Sequence, residues 1–434
     1  MNTYLNPVEL LQTLIRFDTT NPPGNEAEAI GYLNDLLQAA GLQTTLLART
    51  PNRPNLIARL PGRGDAPPWL LYGHMDVVTT AGQTWTHPPF AADIADGYLW
   101  GRGALDMKSG LAMMASALLR AASEGLTLPG DIILVVMCDE EVDGEYGAKW
   151  LVEQHPDQFA GARYAIGEGG GFSMNMVGRK FYPIMVGEKQ VCQLRVTLHG
   201  PAGHGSVPLR GGSMAQLGDL LRRLDRHRLP VHITPAVRQM IEAISAALPF
   251  PQNLAARGLL YPPFTNWLLD GLGEPGLLLN ALLHNTASPT IVHGGEKINV
   301  IPSEVTLELD GRLLPGFTPD DMRRELATLA GPDITFEVTR FDPGPPPPDL
   351  THFDLLANIL YQADPQGTPI PFIASGVTDA RYLARLGIQT YGFLPMDIPT
   401  ELMTTIHAAN ERVPVEALAF GAGAIFSLLQ RCWD

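Results

Sequence analysis

Only three cysteines occur in 434 residues, and Cys138, Cys192 and Cys432 lie far apart with no Cys-x-x-Cys pair among them. This spacing excludes a disulfide scaffold and offers neither a redox dithiol nor a cysteine zinc site, leaving thiols in a reducing cytoplasm as the simplest reading. Long apolar runs are also missing: none approaches the roughly 18 residues of a membrane span. Basic charge is scarce, with 30 Lys and Arg against 45 Asp and Glu for a net charge of -15. A phosphate backbone or an anionic membrane surface would be repelled by most of such a surface. Residues 1–17 begin with an Asn-Pro helix start and an amphipathic run, not a basic patch followed by an apolar stretch, so no signal peptide is expected. No Gly-x-x-x-x-Gly-Lys-Ser/Thr phosphate loop is present. Gly203-His204-Gly205-Ser206 is only superficially like a nucleophile elbow, since it lacks the Gly-x-Ser-x-Gly order. These gaps argue against nucleic-acid, membrane and nucleotide partners and leave a cytoplasmic protein as the expectation.

What is present is ample apolar material, 45% of residues. At roughly 150 residues per domain the length predicts two or three cores. Asn6 and Pro7 open a helix to about residue 17, and Asn25 with Glu28 predicts a cap for a second helix ending at Gly41. Short, mostly apolar runs at 55–60, 69–72, 131–138 and 164–166 predict strands buried on both faces, with an Ala-rich helix over 107–122 between two of them. That alternation predicts an α/β fold: a mostly parallel-sheet catalytic domain with helices on both faces and functional residues at strand ends.

After Gly171 the pattern becomes alternating, as in Leu194, Val196 and Leu198 against Gln193, Arg195 and Thr197. We expect an inserted α+β domain over 180–342, with a proline-rich return at 342–348 and the catalytic domain assembled from 1–179 and 343–434. Strands near 370–374 and 390–394 and a last helix over 415–429 complete it. The Leu- and Pro-rich stretch 230–289 exceeds what a minimal insertion needs.

Chemistry-bearing residues fall at the ends of the predicted buried strands. His74 and Asp76 in Gly73-His74-Met75-Asp76 leave one face of an extended segment, so one can bind a metal while the other orients it. Asp106 follows Trp100-Gly101-Arg102-Gly103 at the start of the Ala-rich helix, where a metal ligand and an N-cap are alternative readings. Asp139-Glu140-Glu141 is either a solvated acidic turn or a ligand beside a general base. Glu168 precedes three glycines that would let backbone approach a ligand, or form a hinge, and His407 supplies a second imidazole ahead of Asn410-Glu411.

These five blocks, in this order, resemble the zinc-dependent family of aminoacylase, succinyl-diaminopimelate desuccinylase, acetylornithine deacetylase and the glutamate-releasing carboxypeptidases. The resemblance implies two zinc ions, with Co²⁺ or Mn²⁺ as possible substitutes. By it Asp106 bridges the ions, His74 and Glu168 complete one shell, and Glu141 and His407 complete the other. Glu140 becomes the general base and Asp76 orients His74. The inserted domain would serve as a lid and dimerisation domain, with His204 stabilising the oxyanion and Arg312 and Asn299 binding substrate. Gly376, in Ser375-Gly376-Val377-Thr378-Asp379, matches a substrate-side loop, although a helix start capped by Thr378 or Asp379 explains the same residues.

The expected reaction is hydrolysis of the amide bond of an N-acyl amino acid or of a C-terminal peptide bond, in a possible homodimer. A dipeptidase or aminopeptidase of the same family, and a catalytically silent metal- or peptide-binding relative, are the alternatives.

Overall fold

The computed structural model describes residues 6–344 and 346–433; residues 1–5 of the expected N-terminal segment, Pro345 of the expected return linker and the final residue lie outside the described residues. The chain forms two compact units, Met1–Gly187 with Pro348–Phe372 and Thr378–Asp434, and Glu188–Pro347 with Ile373–Val377.

The first unit is built on a nine-stranded sheet. Its order is Gln43–Ala48, Pro54–Leu60, Ile132–Met137, Trp69–His74, Tyr164–Gly167, Gln389–Gly392, Arg179–Glu188 and Thr368–Ala374, with Met174–Met176 paired to Arg179–Glu188. The four strands from Ile132–Met137 to Gln389–Gly392 run parallel, and pairings to either side of them are antiparallel. Every residue of Trp69–His74 and Ile132–Met137 is buried. Successive strand side chains point to opposite faces, so both faces of the sheet are covered, which explains continuous apolar runs in place of alternation. Helix Lys108–Ser123 makes the crossover between these two strands and packs on Pro7–Arg16 and Val415–Arg431. The second helix, Ala27–Ala39, does not use the predicted Asn25 cap. Its N-cap position is Glu26, whose side chain makes no cap bond and is instead spent on Arg53.

In the second unit Thr286–Gly294, Glu304–Leu313, Gln190–His199 and Phe336–Asp342 form an antiparallel sheet in that order. One face buries Leu194, Val196, Leu198, Val305, Leu307 and Leu309 against Leu217 and Leu220 of helix Ser213–Arg226 and Met322 and Leu326 of helix Pro319–Ala330. The stretch over 230–289 folds into four helices, Pro235–Ala247, Gln252–Gly258, Pro262–Gly271 and Glu274–Leu283. Three of the four carry a proline in the first two positions, where its missing N–H costs nothing, so the prolines that made this stretch hard to read mark helix starts. Among the described residues no helix is long and apolar enough to cross a membrane.

Candidate metal centre

Parallel strands align their carboxyl ends, and here the register places His74 opposite Met137, so His74 and the turn after Met137 emerge together. Glu168 follows the neighbouring strand Tyr164–Gly167 directly. Asp106 is delivered by the Gly101–Arg102–Gly103 turn and His407 by a left-handed residue with φ 61°.

Asp106 stands between the two imidazoles. Its Oδ1 lies 3.2 Å from His74 Nε2 and its Oδ2 lies 3.1 Å from His407 Nε2. Glu168 Oε2 is 3.5 Å from His74 Nε2, and Glu141 Oε2 is 3.2 Å from His407 Nε2. Two donor sets result, His74–Asp106–Glu168 and Asp106–Glu141–His407. The predicted N-cap role for Asp106 is not observed, because the cap position is Met107 and the Asp106 carboxylate is turned to the histidines. Nor are Asp139 to Glu141 a solvated turn, since Asp139 is buried and the Glu141 side chain only 4% exposed.

The electrostatics of this cluster follow from acidic and imidazole groups packed together out of water. Burial pushes Glu140 well above the ordinary carboxylate range, and the charge of Glu168 adds to it. Burial also raises Glu168. Hydrogen bonds that His407 donates to the Asp106 and Glu141 carboxylates lift its imidazole to about 10. For His74, burial disfavours the cation, but Glu168, Asp106 and Asp76 together outweigh it and raise the imidazole well above its usual value. Glu141 Oε1 and Glu168 Oε1 are both buried without a hydrogen-bond partner, a costly state that a cation relieves. Two imidazoles and three carboxylates form a borderline-hard N/O donor set that suits zinc, cobalt or manganese.

Asp76 works differently from the expected carboxylate–imidazole pair. His74 Nδ1 is 3.0 Å from the Asp76 backbone oxygen and 3.6 Å from its carboxylate. A carbonyl only accepts, so Nδ1 donates there, and Nε2 is the nitrogen turned to Asp106 and Glu168, where it would ligate a cation once deprotonated. The Asp76 carboxylate instead accepts from the backbone N–H groups of Glu140 and Glu141, each at 3.2 Å, and from Asn21 Nδ2 at 2.8 Å.

Glu411, four residues beyond His407, accepts from the backbone N–H groups of Gly103, Leu105 and Asp106 and from Arg102. Gln83 donates to the His407 carbonyl, and Asn410 accepts from the Thr86 N–H. The glycines after Glu168 serve packing, not ligand approach: a Cβ on Gly170 would lie 2.6 Å from Pro183 O, and one on Gly171 2.6 Å from Leu394 N.

The remaining sequence-predicted positions belong to the second unit. His204 is exposed on the short ribbon Gly203–His204, its Nδ1 2.7 Å from Ser206 Oγ. Asn299 is exposed, and its carbonyl accepts from Gly205. Arg312 donates to both oxygens of Asp310, at 3.0 and 3.3 Å. Gly376 is exposed, with open space where a Cβ would stand. In the loop beyond it, the Thr378 hydroxyl accepts from Ala380 N at 3.1 Å, as a cap would, while Asp379 makes no cap bond. Asn21, Arg53 and Glu26, which hold the turn before Glu140, were missed, because Asn21 and Glu26 sit in a polar run between two helices and Arg53 in a turn between two strands, each indistinguishable from an ordinary turn.

A model of peptidase family M20/M25/M40 matches residues 70–431. The chain belongs to this family. As an M20 family member it is a metallopeptidase or amidohydrolase, and relatives with named activities fit that class. An N-fatty-acyl-amino acid synthase/hydrolase of Xenopus tropicalis is 28% identical over 84% of this chain and 72% of its own length. A succinyl-diaminopimelate desuccinylase of Paracoccus denitrificans is 33% identical over 47% of this chain and 52% of its own. An M20 family metallo-carboxypeptidase of Sulfolobus solfataricus shares the fold, with a TM-score of 0.66 at 17% identity over 98% of both chains.

Proposed function

We propose that the protein is a dinuclear metal-dependent hydrolase that cleaves the amide bond of N-acyl amino acids. One observation carries the dinuclear reading: the two oxygens of Asp106 face different His–Glu pairs, as a bridging carboxylate must. His74 and Glu168 would hold one cation with it, and Glu141 and His407 the other. Zinc suits the mixed donor set, with cobalt or manganese as substitutes. The bound cations would polarise the scissile carbonyl and acidify the attacking water. Glu140 would take the proton from the attacking water and return it to the leaving amine, a task suited to a carboxyl whose affinity for a proton is raised by burial. The Asp76 carbonyl fixes the His74 tautomer.

Acylamino acids are favoured over peptides because both relatives named above are described as acting on N-acyl compounds. The roles of His204, Asn299, Arg312 and Gly376 in substrate contact, and the homodimer, rest on the motif resemblance. A panel of N-acyl amino acids of graded chain length, free dipeptides and C-terminally amidated analogues tests the reading with metal-loaded protein. Turnover of acylamino acids with a free carboxylate is expected. Turnover confined to free dipeptides would replace the reading with a dipeptidase, and turnover confined to amidated substrates would remove carboxylate recognition.

A further inference from the structure

Asn21 is buried, 4% exposed, and no motif of the metal centre includes it. Its single amide nitrogen donates to Asp76 Oδ2 at 2.8 Å and to Asp139 Oδ1 at 3.0 Å. Those two carboxylates stand at the ends of adjacent parallel strands. Asp76 lies just past His74, and its carboxylate accepts from the Glu140 and Glu141 backbone, while Asp139, at φ 73°, begins that same turn. The segment bearing Asn21 is itself fastened. Asn21 N donates to Val77 O, Val77 N to Thr19 O, and the Thr19 hydroxyl to Met75 O. Behind it Arg53 donates to Asp139 Oδ1 and reaches both oxygens of Glu26, while Asp139 Oδ2 accepts from Tyr146 N.

Within this cluster the Arg53 guanidinium is spent on Asp139 and Glu26, so it is the two N–H groups of one neutral amide that lie between Asp76 and Asp139, where two buried carboxylates would otherwise repel. We infer that Asn21 is a positioning residue that holds the strand end carrying His74 in register with the turn carrying Glu140 and Glu141, so that the two metal subsites form together. This rests on the dinuclear reading proposed above. Outer residues that orient metal ligands typically contribute tenfold to a hundredfold in affinity or activity.

The test compares the full-length wild type with Asn21→Ala and Asn21→Asp, using Co²⁺ titration of metal-stripped protein followed by its visible spectrum, together with kcat and KM. Wild type is expected to take up two Co²⁺ ions. In Asn21→Ala the affinity for Co²⁺ should fall at least about tenfold at both subsites, with an altered Co²⁺ spectrum and a kcat loss of similar size at little-changed KM. Asn21→Asp should be worse than Asn21→Ala. It keeps the volume but sets a third carboxylate against two, whereas a residue that merely fills space would leave the isosteric Asp near wild type. If Asn21→Asp does not fold, the Asn21→Ala titration decides alone. Two ions bound by Asn21→Ala with wild-type affinity and spectrum would overturn the inference and leave the dinuclear reading standing. A wild type that takes up no Co²⁺ would overturn both.

Discussion

The Arg102 guanidinium and the Glu411 carboxylate meet at 2.5 Å with both side chains at most 1% exposed. Arg102 lies four residues before Asp106, and Glu411 four residues after His407. The pair therefore joins the two loops that supply the shared aspartate and the second imidazole, and Glu411 also accepts from the backbone N–H of Asp106 itself. Removing one member leaves a buried charge without its counterpart, at a cost of about 3–5 kcal/mol. Arg102→Met should lower stability by that order in urea denaturation and weaken metal retention. A variant with wild-type stability would show that the pair does not organise these loops.

Asp106 and His407 should differ in kind when removed. Asp106→Ala deletes a donor from both sets, and metal analysis after dialysis should find neither ion retained. His407→Ala disrupts only the Asp106–Glu141–His407 set, so one ion should remain. Equal stoichiometry in the two variants would contradict the shared-aspartate arrangement.

Glu140→Gln preserves shape and removes the proton acceptor. Hydrolysis should fall by roughly 10²- to 10⁴-fold with two metal ions still bound, the usual range for a general base. Unchanged turnover at normal metal content would assign the proton transfer elsewhere.

Stripping the metal should expose the strain within the acidic cluster. Cations present at about a thousand times their Kd stabilise the folded state by about 4 kcal/mol, and chelation should lower the melting temperature accordingly. Zinc, cobalt or manganese should restore it. A melting temperature insensitive to chelator would argue that no ion is held there.

His284 predicts a separate acid-sensitive step in the second unit. It is 1% exposed, and burial lowers its pKa from 6.5 to about 4. Between these values the unfolded chain binds the proton that the folded chain refuses, so stability falls as pH drops from about 6.5 to 4. The loss amounts to about 2–3 kcal/mol. His284→Gln should flatten that part of the urea-stability profile relative to wild type, and parallel profiles would rule the histidine out as its source.

The strand-end residues of the centre were legible in the sequence because buried parallel strands are uniformly apolar. An acidic or imidazole side chain directly after such a run has few structural reasons to be there. Asp106 was harder, since an aspartate beside a helix start is ordinary capping chemistry until the histidines from distant strands are in place. Asn21 was out of reach: its partners are 55 and 118 residues away, and nothing local distinguishes it from a turn residue. The glycines beside Glu168 were readable as necessary but not for the right reason, because the neighbours they accommodate come from strands paired across the sheet.

The three cysteines, inconspicuous in the sequence, are buried thiols in the folded chain. Burial pushes Cys138 far above the normal thiol range and raises Cys192 to about 11. Cys138 and Cys432 lie in the first unit and Cys192 in the second. Each is thus shielded from alkylation until its own surroundings open. The native chain carries its own set of clocks, and the rate at which each thiol is labelled times the opening of the catalytic sheet, the inserted unit and the last helix without a single substitution.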